Sequence, residues 1–205
     1  MTQADPRTVL GVPALFRLFK RMVLTDRGSR LYMEDHVRAR EGARVLDIGC
    51  GVADVLDTLP AVDYHGFDLS PAYIEAARGR YGDRGHFHCA AVSELSLGGL
   101  AGTCDVVMAN GILHHLDDAD AVRLLRTAAA ALKPGGHVVT FDGCYVEGQG
   151  RLSRWLVSLD RGEHVRARED YLRLAREVFP DVTSRTYSDL LRFPYEHIVM
   201  EGVKP

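Results

Sequence analysis

The sequence has few of the features that mark a metal-held, disulfide-held or membrane-spanning protein. Its four cysteines lie at least 15 residues apart, so it contains no CxxC pair and no zinc-ligand spacing. No run approaches the roughly 18 apolar residues of a spanning helix. The N-terminus has no charged start followed by an unbroken apolar stretch, as a secretory signal would. We therefore expect buried, reduced thiols in a cytoplasmic protein without a metal site or a membrane partner.

Lysine is scarce, and neither sign of charge dominates. Only three of the 25 basic residues are lysine, a skew that codon usage in a GC-rich bacterium explains. The net charge of -3 gives no reason to expect nucleic acid as a partner. Residues 1–40 carry a net charge of +4, which is consistent with an acidic substrate, although a solvated helix face is the commoner cause.

The middle of the chain alternates short β-branched runs with helical segments. The apolar pattern predicts strands at residues 43–49, 63–67, 85–92, 104–110 and 136–142. It predicts helices at 52–59, 70–81 and 117–132, between helical segments at 12–40 and at about 152–159 and 168–179. Two strands, at 182–187 and 195–201, close the chain. This alternation is typical of a doubly wound parallel sheet.

A glycine turn follows the first predicted strand. Asp47 opens the stretch DIGCGVA, in which glycines allow a ligand to approach the backbone at the carboxyl edge of the sheet. A dinucleotide site would need a third glycine where Asp54 stands. Asp47 suits an ammonium group, and Asp68, at the end of the second strand, suits a ribose. A cation and a ribose with no phosphate between them indicate S-adenosylmethionine rather than NAD.

Four motifs occur in a familiar order and spacing. They are VLDIGCG at 45–51, FDLSPAYI at 67–74, DVVMANGILHHL at 105–116 and LKPGGHVV at 132–139. Over residues 41–142 the chain thus resembles the class I S-adenosylmethionine-dependent methyltransferases. The resemblance implies a doubly wound α/β fold. Its seven-stranded sheet would be mostly parallel, with an antiparallel last strand and helices on both faces.

The resemblance also implies an activity and an organisation. The activity is transfer of a methyl group from S-adenosylmethionine to O, N or C of a small-molecule acceptor by in-line displacement, which leaves S-adenosylhomocysteine. A single domain would comprise a helical cap at 1–40, a cofactor-binding core at 41–142, and substrate-side helices with closing strands at 143–205. We expect a monomer or a homodimer.

The resemblance implies that the methionine part of the cofactor lies at the ends of the first and fourth predicted strands. Gly49, Cys50 and Gly51 would lie under it. Asp47 would hold its amino group, directly or through water, and Asn110 would offer a carbonyl nearby.

The adenosine part is assigned to the second and third strands. Asp68 would bind the ribose, and Leu69 would pack on the adenine. The family often has an acid for the adenine amine where Ala90 and Ala91 align here, so Val92 and Ser93 would have to make that contact. The family also often has a glycine at the position of Ala53.

The two histidines after the fourth strand are candidates for proton transfer. A base is needed when the nucleophile must lose a proton, and the near-neutral pKa of histidine suits the task. Adjacent side chains diverge on a regular helix or strand, so the two should not share one role. We assign catalysis to His114 and the cofactor side to His115. In the alternative, one histidine packs under the cofactor and the other caps the loop.

Substrate contacts are predicted on both sides of the core. Tyr32 and His36 could cover the cleft, and Asp142 and Tyr145 follow the fifth strand. Trp155 could form a wall, although its spacing with Leu152, Leu156 and Leu159 favours simple packing. Arg161 could bind an anion, or lie in a solvated turn. The candidate substrate residues are thus Tyr32, His36, Asp142, Tyr145, Trp155 and Arg161.

Two other functions remain open. The chain could methylate RNA or protein, which a basic surface around the cleft would support. It could also be a member of the fold that binds S-adenosylmethionine without transferring its methyl group. Formation of S-adenosylhomocysteine separates the second case from the others.

Overall fold

The computed structural model describes residues 25–91, 97–159 and 162–205. The helix predicted from residue 12 and the roles predicted for Val92, Ser93 and Arg161 lie outside the described residues. Within those ranges, no helix has the length and apolar character needed to cross a membrane.

Eight strands form one mixed sheet. They are β1 Arg44–Ile48, β2 Asp63–Asp68, β3 His86–Cys89, β4 Cys104–Asn110, β5 Leu132–Tyr145, β6 Arg166–Ala167, β7 Thr183–Tyr187 and β8 His197–Val203. The order is β3-β2-β1-β4-β5-β8-β7, and the two-residue β6 pairs with β5. Strands β1 to β5 pair in parallel, whereas β8 runs antiparallel to both β5 and β7. The predicted fold class is confirmed, with β6 as a small addition.

Five α-helices surround the sheet in the described part of the chain. They are α1 Asp26–Leu31, which continues into a π-helical turn at Tyr32–Val37, α2 Pro71–Tyr81, α3 Asp118–Ala131, α4 Arg151–Ser158 and α5 Arg168–Arg176. The Ser70 hydroxyl accepts the amide of Tyr73 at 3.4 Å, with Pro71 at the first helical position, as the sequence predicts. The Asp117 carboxylate likewise caps α3 by accepting the amide of Asp120 at 2.8 Å.

The helix predicted at 52–59 is wrong. Only a four-residue 3₁₀ turn, Asp54–Asp57, forms there. Gly51 and Ala53 both adopt a φ of 56°, in the left-handed region, so a right-handed helix cannot start before Asp54. Pro60 then ends the segment.

The central strands are buried on both faces, which explains their nearly continuous apolar sequences. Leu46 and Ile48 of β1 pack into one core, and Val45 packs into the other. Val107 and Val106 of β4 alternate in the same way. All four cysteines are free, but Cys89 is exposed on the edge strand β3 and Cys50 is half-buried, so the expectation of four buried thiols is wrong for these two.

The segment from Thr25 to Arg38 is anchored on β7 and β8. The ring nitrogens of His36 bond to Glu201 Oε1 at 2.7 Å and to the Tyr187 hydroxyl at 2.8 Å. Arg38 donates to the other oxygen of Glu201 at 2.6 Å. These contacts hold Tyr32, one turn before His36, against the sheet.

The contacts of His36 and Arg38 with Glu201, which anchor the N-terminal segment, should make the stability of the fold depend on pH. Burial by itself raises the pKa of Glu201, but the hydrogen bonds and charges of His36 and Arg38 outweigh it and lower that pKa from 4.5 to about 2. Because the folded-state pKa is depressed, this stabilisation is complete above about pH 4.5 and is lost as the pH falls toward about 2. It amounts to something on the order of 3 kcal/mol.

We expect Glu201→Gln to lower the free energy of unfolding at neutral pH, and the difference from wild type to shrink between pH 4.5 and 2. Urea unfolding of both proteins across this range measures the difference. A difference that does not change with pH would show that ionisation of Glu201 does not stabilise the anchor.

Candidate active site at the carboxyl edge of the sheet

The glycine turn after β1 is closed against β2. The amides of Gly49 and Cys50 both donate to the carbonyl of Phe67, at 2.8 and 3.0 Å. Gly49 has a φ of 79°, and a β-carbon there would lie 3.0 Å from Ile112 Cδ1. Glycine is therefore required at this position both by backbone conformation and by the close approach of Ile112.

A buried carboxylate lies at the end of β1. Asp47 is 2% exposed, and its Oδ2 accepts the Tyr64 hydroxyl at 2.7 Å. Burial, reinforced by the charge of Asp47, raises the pKa of Tyr64, so the phenol stays protonated as a donor. Burial, followed by the charges of Asp47 and Asp68, also raises the pKa of the Cys50 thiol, which remains neutral. Asp47 thus places a buried carboxyl group beside the turn, hydrogen-bonded to Tyr64.

Asp68 links the ends of β1 and β2. Its carboxylate accepts the amides of Gly51 at 2.9 Å and of Ser70 at 2.8 Å. The next residue, Leu69, is 70% exposed. These two residues therefore present a carboxylate and an apolar side chain side by side at the sheet edge.

A cavity of about 460 Å³ opens between this edge and the loop after β4. Its size is within the range of small-molecule and cofactor sites. It brings together four of the predicted cofactor residues, Gly49, Asp68, Leu69 and His115. Ala90 and Ala91 also line the cavity; they stand at the positions where the family often has an acid that binds the adenine amine. Sequence reasoning missed its other walls, which include Ile112, Leu116 and Arg123.

Tyr32 reaches the same edge from the N-terminal segment. Its hydroxyl donates to the side-chain oxygen of Asn110 at the end of β4, and its ring meets Phe141 edge-on at 5.4 Å between centroids. Burial and then the charge of Asp47 raise the pKa of Tyr32 well above its ordinary value, and Asp142 adds to this effect. Tyr32 is therefore a neutral donor near two buried carboxylates.

His114 and Asp142 form a buried pair. Asp142 Oδ1 lies 2.8 Å from His114 Nδ1, and it also accepts the His114 amide at 3.2 Å. The Asp142 side chain is fully buried, and its Oδ2 has no hydrogen-bond partner within the ranges that the structure describes. The carboxylate therefore fixes both the loop and the orientation of the ring.

The two histidine side chains do not diverge as expected. Their ring centroids are 4.2 Å apart at an angle of 43°, within the 3₁₀ turn Leu113–His115. His114 is 7% exposed, whereas His115 is exposed and lines the cavity. Their rings are in contact, and only His115 lines the cavity. The assignment of catalysis to His114 and of the cofactor side to His115 therefore stays a prediction.

Arg166 forms hydrogen bonds to the loop that carries His114 and His115. Its guanidinium donates to the carbonyls of Leu113 at 2.9 Å and Leu116 at 2.6 Å, and its Nε donates to Asp118 at 3.0 Å. Sequence analysis missed this residue, because its partners lie about 50 residues away along the chain and no local pattern connects them.

Gly162 packs directly on His114. A β-carbon at Gly162 would lie 2.2 Å from His114 Cδ2 and 2.5 Å from the His114 carbonyl oxygen. The amide of His164 donates to that same carbonyl at 3.0 Å. The segment after α4 therefore covers the histidine.

Gly162→Ala should displace this segment or the His114 ring, and we expect a loss of about 1–3 kcal/mol in the free energy of unfolding. Thermal and urea unfolding provide the measurement. Gly150→Ala is the matched control, because a β-carbon there meets nothing within 4 Å. Equal stabilities of the two variants would contradict the close packing of Gly162 on His114.

Three predicted substrate residues lie apart from this group. Both ring nitrogens of His36 are engaged in the anchor on β7 and β8. Tyr145 lies three residues after Asp142 on one strand, so the two project from opposite faces, and the Arg154 guanidinium stacks on the Tyr145 ring. Trp155 is 56% exposed together with Leu152 and Leu159, so the simple packing favoured by their spacing is wrong.

The fold and the site define a doubly wound α/β domain with a cavity of cofactor size at the carboxyl ends of its strands. A family model described as a methyltransferase domain matches residues 46–138. Among curated proteins, aclacinomycin 10-hydroxylase RdmB of Streptomyces purpurascens is 31% identical over 167 residues, 77% of this chain and 45% of that protein. The ubiquinone biosynthesis O-methyltransferase of Idiomarina loihiensis is 27% identical over 139 residues, 65% of this chain and 54% of that protein.

The chain thus spans about half the length of the curated relatives it matches. Among solved structures, Haemonchus contortus phosphoethanolamine N-methyltransferase 2, in complex with phosphomonomethylethanolamine and S-adenosylhomocysteine, has the same fold. Its TM-score is 0.74 at 16% identity, covering 99% of this chain and 61% of that one. Residues 46–138 are thus a methyltransferase domain, and the chain has the fold of the class I S-adenosylmethionine-dependent methyltransferases, whose cofactor is S-adenosylmethionine.

Proposed function

We propose that this chain methylates a hydroxyl group of a small molecule, with His114 as the general base. The observation that carries the proposal is the bond between His114 Nδ1 and the buried Asp142 carboxylate, beside the cofactor cavity. A neutral histidine that donates from Nδ1 carries its basic lone pair on Nε2. Asp142 then holds the ring in place and stabilises the positive charge that develops on it.

The residues at the edge of the sheet fit S-adenosylmethionine. Asp47 is a buried carboxyl group suited to the amino group, Asp68 is a carboxylate suited to the ribose hydroxyls, and Leu69 offers an apolar surface to the adenine. Gly49, which has no side chain, allows Ile112 on the opposite wall of the cavity to approach the turn closely. When bound, the cofactor supplies a methyl group on a positively charged sulfur, which is an electrophile with a neutral leaving group.

The work of the protein is then to position the acceptor and to take its proton. The transfer requires the nucleophile, methyl and sulfur in line, which rigid placement of the two ligands favours. Tyr32, whose only hydroxyl hydrogen is donated to Asn110, cannot act as a base near neutral pH because its pKa is raised. Asp142 Oδ2 is buried without a partner in the described part of the chain, so a ligand hydroxyl or amine can supply one.

The small size of the acceptor is supported by the enclosure of His114. The ring is 7% exposed, and the segment from Gly162 to His164 lies over it. The relatives named as ubiquinone biosynthesis O-methyltransferases act, by their name, on oxygen. Both observations favour a small hydroxylated acceptor over RNA or protein.

A second candidate is a reaction other than methyl transfer. The relative from Streptomyces purpurascens is named a hydroxylase, and at 31% identity it matches 77% of this chain. In this alternative the chain binds S-adenosylmethionine but does not consume it.

The distinguishing experiment measures S-adenosylhomocysteine. The purified chain is incubated with S-adenosylmethionine and panels of small phenols, alcohols, amines and carbon acids, and the product is quantified by mass spectrometry. We expect micromolar cofactor binding by isothermal titration, about -7 to -9 kcal/mol, and turnover with hydroxylated acceptors. Binding of S-adenosylmethionine without turnover on any panel would favour the second candidate. Methylation of tRNA or protein instead would contradict the small-molecule acceptor.

A further inference from the structure

A cluster of metal-ligand side chains lies at the far edge of the sheet, away from the cofactor cavity. The parallel register of β2 and β3 places His65 beside His86, and their rings stack with centroids 4.7 Å apart. Asp63 lies two residues before His65 and therefore on the same face of the sheet. The three residues offer one carboxylate oxygen and two imidazole nitrogens, all within 4.8 Å of one another.

The distances suit a shared metal ion. His65 Nε2 lies 3.0 Å from Asp63 Oδ1. Zinc binds histidine nitrogen at about 2.0–2.1 Å and carboxylate oxygen at about 2.0–2.2 Å, so two such ligands are separated by about 2.9 Å at a right angle and about 3.4 Å in a tetrahedron. The first pair is thus already at ligand spacing. His86 is exposed, so its ring can adjust to complete the set.

We propose that Asp63, His65 and His86 bind a divalent transition-metal ion such as Zn²⁺. Imidazole and carboxylate are borderline and hard ligands that together suit Zn²⁺, Ni²⁺ or Co²⁺ better than Mg²⁺ or Ca²⁺. Water would complete the coordination, because the site faces solvent. The ion would join β2 to the edge strand β3. The proposal revises the expectation of a chain without a metal site, and it does not depend on methyl transfer.

Arg44 orients the carboxylate ligand. Its Nε donates to Asp63 Oδ2 at 2.6 Å, so the other oxygen, Oδ1, faces His65. Outer partners of this kind commonly fix the orientation of metal ligands. The positive charge of Arg44 also opposes a cation, so we expect an affinity of about micromolar rather than the tighter binding of closed structural zinc sites.

The site is separate from the cofactor cavity. Asp63 begins β2 and Asp68 ends it, a distance of about 16 Å along the strand. The cavity-lining residues do not include any of the three proposed ligands. Loss of metal binding can therefore be distinguished from loss of cofactor binding.

The test is isothermal titration of the untagged, metal-free chain with ZnCl₂, together with the visible spectrum of the Co²⁺ form. We expect one ion per chain, a higher melting temperature with Zn²⁺, and Co²⁺ bands of low-symmetry coordination. His86→Ala should weaken binding at least about tenfold, as the loss of even an outer partner commonly does. Because His86 is exposed, this variant should fold normally. Asp63→Asn, checked by circular dichroism, should weaken binding as well.

His88→Ala is the matched control. His88 is also exposed on β3, two residues after His86, and its ring stacks on Phe67 rather than on His65. We expect its Zn²⁺ affinity to match wild type. The proposal is overturned if the wild type binds no ion, if wild type and His86→Ala bind equally well, as adventitious surface binding would, or if His88→Ala loses the ion while His86→Ala keeps it.

Discussion

His114→Ala is expected to lower kcat by about 10²–10⁴-fold, the range that a general base contributes. The physical reason is that the acceptor hydroxyl would lose the group that takes its proton while the methyl group is transferred. Asp142→Asn should also lower kcat, because the amide no longer stabilises the charged ring. Steady-state kinetics, with the acceptor identified by the product assay, provide the measurement.

The control for His114 is its neighbour. His115 lines the cofactor cavity, so His115→Ala should raise the dissociation constant for the cofactor more than it lowers kcat. His114→Ala should bind the cofactor as wild type does, and it should lose any pH dependence of kcat that the base imposes. An unchanged kcat in His114→Ala, or the reverse pattern in the two variants, would show that His114 is a packing residue.

Asp68→Ala is expected to weaken cofactor binding by about 10²–10⁴-fold. The carboxylate would accept two ribose hydroxyls, each worth about 1.5–3 kcal/mol for a charged acceptor. It also accepts the amides of Gly51 and Ser70, so its loss would loosen the glycine turn. Isothermal titration with S-adenosylhomocysteine measures the affinity, and thermal unfolding separates the loss of binding from the loss of stability.

Asp54→Ala is the control for Asp68. Asp54 follows the same turn but lies in the short 3₁₀ segment and does not line the cavity. Its replacement should leave the affinity within a few-fold of wild type. Equal losses of affinity in Asp54→Ala and Asp68→Ala would mean that the turn, and not a contact of Asp68 with the ribose, controls binding.

Much of the core fold follows from local patterns in the sequence. Strand β4 has the predicted bounds and β1 is shorter by one residue at each end, because a buried parallel strand is a nearly continuous apolar run. Strand β2 is longer than predicted by one residue at its C-terminal end. Ser70 and Pro71 mark the start of α2, because capping depends only on neighbouring residues. The segment at 52–59 has an apolar pattern that also suits a helix, but its left-handed residues prevent one.

Patterns that require a packing partner are less informative. Leu152 and Trp155 of α4 and Leu159, the residue after it, have the spacing of one helix face, and such a stripe usually packs against a core. Here that face is exposed in the described part of the chain. A hydrophobic stripe indicates which face of a helix favours burial, but it does not indicate whether another element of the fold packs against that face.

The sequence by itself determined that the glycine turn, Asp47 and Asp68 lie at one edge of the sheet. The glycine turn, Asp47 and Asp68 each stand at the end of a predicted strand, and the carboxyl ends of parallel strands meet at one edge. Only the tertiary structure decided that His114 pairs with Asp142, that Tyr32 reaches Asn110, and that His65 stacks on His86. These partners lie 28, 78 and 21 residues apart, on elements joined by crossovers and loops. Their meeting depends on the order and register of the strands, which local sequence patterns do not encode.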